Sequence, residues 1–282
     1  VWSLVDTPFR RFGAGVTVKL LTLARDLQRR KARERHRQFV AEGVRTVESL
    51  LASPCRVEGV LVAEDVREEP RVAALVAQAE GRGVTVRVIS PRDFESAADT
   101  DAPQGVLAVA QMPESALAAP GASARYLVLD ALQDPGNVGT VVRTAAALGV
   151  TATIALPGTV DVWNAKVVRS AMGALFTHPV VAMDWAQCQR FLSEQGIPCW
   201  AADMDGQPLD GLDRAALPRR LALVVSNEGA GLSPHIDTTV AARVAIPMAP
   251  GTESLNVAVA TGILLHALRP ARPAASDPVP VA

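Results

Sequence analysis

The stretch "LDALQDPGNVGTVVRTAAALGV", residues 129–150, places an amide, Asn137, and a guanidinium, Arg143, on a Pro-Gly turn that opens an alanine-rich helix. At helical spacing Val138, Val141, Val142, Ala145 and Leu148 form the buried stripe, and Arg143 falls on the opposite side. Arg143 is then free to meet a ligand, or it is an ordinary surface arginine. The turn is shaped for a ligand but is not a dinucleotide or phosphate-loop fingerprint. A second candidate loop, "VVSNEGAGLSP", follows a very apolar run. Gly229 and Gly231 would let the backbone approach a ligand closely, and Glu228 supplies one charge, although a plain tight turn reads equally well. The third, "IPMAPGTESLNVAVATGILL", holds Ser254 or Glu253 as caps of a closing helix, with Asn256 in its first turn where the amide reaches outward.

These loops need a scaffold, and the pattern supplies one. With 49% hydrophobic residues, a chain of 282 can bury the cores of two domains. Gly, Pro or Asp interrupts the apolar runs every ten or so residues, the rhythm of alternating strands and helices. The expected fold class is α/β, with a mainly parallel sheet toward the C-terminus, and ligands gather where loops leave the carboxyl ends of such strands. Strands are expected at "YLVLD", "TATIAL", "HPVVAM", "IPCWAAD", "RLALVVS" and "ARVAIPM", with helices between them. Upstream, residues 17 to 52 read as helical, and residues 30 to 112 as a small α/β unit. The boundaries that follow are an N-terminal region 1–112, a small-residue linker 113–124, a domain 125–269 and a Pro-rich disordered tail 270–282.

The net charge of −1 gives the whole chain no pull on nucleic acid, yet Arg25, Arg29, Arg30, Lys31, Arg33, Arg35 and Arg37 crowd its start. That run is either a solvated helix face or a phosphate-contacting patch. Cys55, Cys188 and Cys199 are scattered without CxxC spacing or histidine partners, so neither a disulfide framework nor a metal site is indicated. His178, His235 and His266 read as structural or surface residues. No apolar run spans a membrane, and the cytosol is the natural compartment. The Arg-rich start also has the composition of an organellar transit peptide.

Taken in order, "DPGNVGTVVRTA", "SNEGAGLS" and "IPMAPGTESLNVAVATGILL" closely resemble the three motifs of the SpoU (TrmH-like) branch of the SPOUT methyltransferases, across residues 126–268. "FVAEGVRTVESLL" and "PQGVLAV" resemble the RNA substrate-binding domain that precedes the catalytic domain in ribosomal-RNA members. The resemblance implies a trefoil-knotted catalytic domain, S-adenosylmethionine as cofactor, no metal, a homodimer packed through the knot, and methyl transfer to RNA 2'-hydroxyls. It carries catalytic roles onto Arg143, Asn137, Glu228, Ser254 and Asn256. Cofactor contacts fall on Ser226, Asn227, Gly229, Ile246, Met248, Leu255 and Asn256.

A guanidinium keeps its proton to above about pH 12 and is a poor base at neutral pH. Either an RNA phosphate or another group therefore assists Arg143, or Arg143 only holds a phosphate and orients the hydroxyl. Ser226 stands where many members have Gly, Pro250 intrudes into the third motif, and Ala258 replaces a common serine. None of these removes a presumed catalytic group. The expected substrate is ribosomal RNA. The rivals are a transfer-RNA target and a non-catalytic RNA-binding assembly factor that keeps the fold.

Overall fold

The structure, a computed structural model, describes residues 14–227, 231–252 and 254–269. Two compact units divide the chain, the first running to Met112 apart from Ala52–Pro54, which group with the second, and the second continuing from Pro113. The expected tail 270–282 lies outside the described residues.

The first unit is built from α1 (Ala14–Asp26), α2 (Arg30–His36), β1 (Gln38–Glu42), α3 (Val44–Ala52), β2 (Val57–Ala63), α4 (Pro70–Gly81), β3 (Val86–Ile89), α5 (Pro91–Glu95) and β4 (Val106–Gln111). Its sheet runs in the order β1-β4-β2-β3, with β1 and β2 antiparallel to β4 and β3 parallel to β2. Two expectations are corrected here. Residues 17 to 52 are not continuously helical, because "QFVAE" is a strand whose Phe39, Val40 and Ala41 are buried. A short apolar run between two helices carries no period that separates strand from helix. Gly43, at φ 95°, ends that strand, and the Gln104 side chain accepts the backbone N–H of Val44 at 3.0 Å to start α3.

The unit also begins earlier than residue 30, since Leu20, Leu21, Ala24 and Leu27 of α1 pack into a core with Val40, Leu61, Leu107 and Phe94. The basic run divides in two. Arg33 is buried and donates to the carbonyls of Leu27 and Gln28, both at 2.8 Å, which closes the end of α1. Arg29, Arg30, Lys31, Arg35 and Arg37 stay exposed.

The second unit contains β5 (Ala124–Asp130), α6 (Pro135–Ala147), β6 (Ala152–Ala155), α7 (Ala165–Ser170), β7 (Val180–Ala182), α8 (Trp185–Glu194), β8 (Cys199–Pro208), β9 (Arg220–Ser226), α9 (Pro234–Asp237), β10 (Ala242–Ala245) and α10 (Val257–Ala267). Residues 113–123 form no regular element before it, although Leu117 packs on its core and Arg220 donates to the Gly121 carbonyl at 2.9 Å. The sheet order is β10-β8-β9-β5-β6-β7, and every pairing is parallel. All carboxyl ends therefore point to one edge.

Both faces of this sheet are apolar, as parallel strands require. Tyr126 and Val128 pack with Trp185, Cys188 and Leu192 of α8 and Ile236 of α9. The alternate residues Leu127 and Leu129, equally buried, point to the opposite face. On α6, Val138, Val141, Val142 and Ala145 are buried as their spacing implies, and the helix packs against α7 and α10. Its approach to α7 is close. A Cβ on Gly139 would lie 2.5 Å from the Ser170 Cβ and 2.7 Å from the Val167 carbonyl oxygen.

Arg125 fastens the end of α10 to the start of the sheet. Its guanidinium donates to the carbonyls of Leu268 at 3.0 Å, Arg219 at 2.8 Å and Pro218 at 2.8 Å. Beneath the sheet the buried imidazole of His178 shares a 2.8 Å hydrogen bond with the Thr153 hydroxyl, and burial pulls its pKa down to about 4.

Two stability measurements check these contacts. Ala replacing a helical glycine ordinarily stabilises by about 1 kcal/mol. Gly139→Ala is expected instead to destabilise by about 1–3 kcal/mol through forced separation of α6 and α7, read as a lower denaturation midpoint. For His178 the unfolded imidazole takes up a proton near its ordinary 6.5, while the folded one resists until about 4. The unfolded chain thus binds more protons in that interval, and stability falls as pH drops from 6.5 toward 4, by up to about 3 kcal/mol. Chemical denaturation of His178→Gln across this range is expected to show a flatter slope than the unaltered protein.

Candidate active site

The site is assembled from three loops at the carboxyl edge. Parallel register sets Asp130 of β5 beside Ser226 of β9, so the loops that leave these strands start as neighbours. After β5 the Asp134 side chain accepts the Asn137 backbone N–H at 2.7 Å and Pro135 takes the first helical position, which together start α6. The start of α10 is capped by Asn256, whose side-chain oxygen accepts the N–H groups of Ala258 at 3.0 Å and Val259 at 3.4 Å. That corrects the expectation that Ser254 or Glu253 caps this helix. An Asn immediately before the first helical residue is better placed than Ser254, and Glu253 lies outside the described residues.

The Asn256 amide does reach outward. Its Nδ2 donates to Asn137 Oδ1 at 2.9 Å, joining residues 119 positions apart. The carbonyl oxygen of Asn256 is thus used on its own helix and its amino group on the first motif. One asparagine couples the N-termini of α6 and α10.

Beside this junction a cavity of about 230 Å³ opens between β8, β9, β10 and α10. Seven of the residues singled out in the sequence line it: Ser226, Asn227, Gly231, Ile246, Met248, Ser254 and Leu255. Asn256 stands between two lining residues and turns to Asn137 instead. Arg143 is exposed on α6 and does not line the cavity; no hydrogen bond or ion pair ties it among the described residues. Glu228 and Gly229 lie outside the described residues.

The sequence reading missed one wall, Asp203 and Met204 of β8. "CWAADMDG" shows only strand character, and an aspartate just past its apolar run was the sole available signal. Asp203 is the only ionisable residue among the described lining residues. Arg243 of β10 lies 3.3 Å from its carboxylate and 2.6 Å from that of Asp237, so two carboxylates share one guanidinium. Gly206 lets β8 run against β10 here, since a Cβ would come within 2.6 Å of the Val244 nitrogen.

The thiols supply no nucleophile. Burial pushes Cys188 and Cys199 up to about 12, far from thiolate at neutral pH. Among the described residues no His, Cys, Asp and Glu cluster could hold a metal ion, and no helix is long and apolar enough to cross a membrane. What the described lining residues offer is an apolar slot from Val225, Leu232, Val244 and Leu264, hydroxyl and amide groups at one strand end, and one carboxylate. That set fits S-adenosylmethionine: apolar walls suit the adenine, and a negative side chain suits a cofactor that carries two positive groups.

Fold and cavity define the class, an S-adenosylmethionine-dependent methyltransferase with the sheet topology typical of the knotted SPOUT domain. Residues 124–266 match the SpoU rRNA Methylase family, residues 18–108 match the MRM3-like substrate binding domain, and the chain belongs to the SpoU family. It is 34% identical over 244 residues to the 23S rRNA (guanosine(2553)-2'-O)-methyltransferase RlmP of Bacillus subtilis, covering 86% of this chain and 93% of that one. It is 32% identical over 232 residues to the 23S rRNA (guanosine-2'-O-)-methyltransferase RlmB of Escherichia coli, covering 79% and 94%. Among solved structures, the AdoMet-bound rRNA methyltransferase of Sinorhizobium meliloti superposes with a TM-score of 0.76 at 28% identity, covering 88% of this chain and 93% of that one.

The Asn256 junction separates into two measurable parts. Asn256→Asp keeps the cap acceptor and loses the donor to Asn137. Its thermal midpoint is expected to stay near that of the unaltered protein, while methyl transfer falls. Asn256→Ala loses both and is expected to cost about 1 kcal/mol of stability as well.

Proposed function

We propose that this chain transfers a methyl group from S-adenosylmethionine to a ribose 2'-hydroxyl of ribosomal RNA. The observation that carries the reading is the Asn137–Asn256 hydrogen bond, made by the residue that stands between the cavity-lining Leu255 and Val257, with Arg143 further along the same α6. A ribosomal target is supported by relatives of that specificity that match along most of both chains, the N-terminal unit included. Of the exposed cations Arg29, Arg30, Lys31, Arg35 and Arg37, Arg29 and Arg30 are paired with Asp26 and Glu34, and the other three supply that unit with positive charge for phosphates, while the 2'-hydroxyl distinguishes RNA from DNA. A homodimer fits the outward face of α10, which leaves Val259 53% and Ile263 40% exposed.

When bound, the cofactor supplies a methyl group already activated by its positive sulfur. Ser226, Asn227, Ile246, Met248 and Leu255 would hold it, the family resemblance adding Gly229 from outside the described residues, and Asn256 fixes the neighbouring helix start. Arg143 grips an RNA phosphate through its planar fork of donors and so presents the hydroxyl at the cavity mouth. The hydroxyl proton passes to a group other than this guanidinium, an RNA phosphate oxygen having the right chemistry. Asn137 and Ser254 help to orient the ribose, a role that the family resemblance extends to Glu228, outside the described residues. Alignment of this kind is worth several kcal/mol of barrier, about 7–11 in the best intramolecular cases.

The test is transfer of radiolabelled methyl to ribosomal and, separately, transfer RNA, followed by nucleoside digestion. Label on a 2'-O-methylated nucleoside from ribosomal RNA is expected; label from transfer RNA alone would overturn the substrate. Arg143→Ala is expected to bind S-adenosylmethionine nearly as well as the unaltered chain and to lose transfer by orders of magnitude. Unchanged turnover would remove Arg143 from the mechanism. Cofactor binding without transfer to free RNA or assembling ribosomal particles would favour the assembly-factor reading.

A further inference from the structure

Asp130, at the last position of β5, is 3% exposed, and both of its oxygens are used on a single residue. Oδ2 accepts the backbone N–H of Ser233 at 2.7 Å, and Oδ1 accepts the Ser233 hydroxyl at 2.8 Å. Ser233 has an ordinary alternative, since it is the residue before α9 and a serine there usually caps the helix with its side chain. No such cap bond forms. The hydroxyl is committed to Asp130 instead.

The position of this contact gives it meaning. Asp130 pairs in register with Ser226, where the chain leaves β9, and Ser233 is where the chain comes back. Between them Asn227, Gly231 and Leu232 line the cavity, and the Gly231 N–H bonds the Asn227 carbonyl at 3.0 Å across the base of the loop. A second observation lies on the other side of Asp130. Ala131 is held at φ 55°, a region unfavourable for a residue with a Cβ, at the start of the loop that leads to Asn137. Such strain persists only where surrounding contacts over-determine the backbone.

We propose that Asp130 is a positioning residue that acts on the cofactor through Ser233: its carboxylate closes the cofactor loop and fixes that loop against the β5–α6 turn. The proposal rests on the reading of this cavity as the S-adenosylmethionine pocket and adds a residue that touches neither cofactor nor RNA. Its physical content is acceptor geometry, so an isostere should serve. In Asp130→Asn, Oδ1 can accept the Ser233 N–H while Nδ2 donates to the Ser233 hydroxyl.

The experiment is isothermal titration of S-adenosylmethionine into the full chain, well below its unfolding temperature, with steady-state methyl transfer on the same samples. Asp130→Ala is expected to weaken cofactor binding by about tenfold, with turnover at saturating cofactor within about threefold of the unaltered chain. Asp130→Asn is expected to restore binding, and Ser233→Ala to weaken it by about threefold and to add nothing in the Asp130→Ala background. Loss of stability with unchanged affinity, or an Asn variant as weak as Ala, overturns the proposal. If Asp130→Ala fails to fold, Ser233→Ala carries the test, and unchanged affinity there overturns it too. An unaltered chain that does not bind the cofactor sinks the pocket reading itself, a result distinct from any variant effect.

Discussion

The parallel hydrogen bonding of β5 to β9 is the constraint on which the rest depends. Seven residue pairs in unbroken register run from Ala124 opposite Arg220 to Asp130 opposite Ser226, and they bring two loops distant in sequence to one starting line. A slip of one residue would turn Leu127 and Leu129 toward the face now filled by Tyr126 and Val128, which burial on both sides forbids. Register here is therefore set by packing, and the packing sets the chemistry. The third loop is brought to the same edge by a different contact, the Asn256 amide reaching Asn137.

Electrostatics in the cavity is sparse and correspondingly directional. Among the described lining residues Asp203 is alone in charge, and Arg243 both restrains and partly neutralises it because Asp237 draws on the same guanidinium. A carboxylate held in this way keeps a fixed place without standing as a fully exposed charge. The lasting attraction for a positively charged ligand is thus local, and most of the wall remains apolar.

How much of this was legible in the sequence depended on the period of each signal. The strands from "YLVLD" to "ARVAIPM" and the stripe Val138, Val141, Val142 and Ala145 were readable because burial on a repeating lattice leaves a repeating pattern. "QFVAE" was not, since five residues between helices carry too little period. Motif residues pointed to Ser226, Asn227, Ile246, Met248 and Leu255, all of which line one cavity. Asp203 stayed hidden because its restraint comes from Arg243, 40 residues along the chain, and the Asn256 cap stayed hidden because Ser254, two residues earlier, offers the same short-range capping chemistry. Arg33 was misread for a local cause: its charge suggested a surface, whereas its guanidinium turns back onto the carbonyls of Leu27 and Gln28, six and five residues earlier.

The Arg125 clamp bears on the order of events during synthesis. Its bond to the Leu268 carbonyl closes a separation of 143 residues, and β5 must wait for β9 before its own register is complete. Contacts of such long range form late, because the chain between them must be ordered first. Helix α10 supplies both Asn256 and the back of the cavity, so a nascent chain on the ribosome can complete the first unit's sheet long before the second unit owns a pocket. Binding competence in this molecule arrives as a final step, after the last helix has docked.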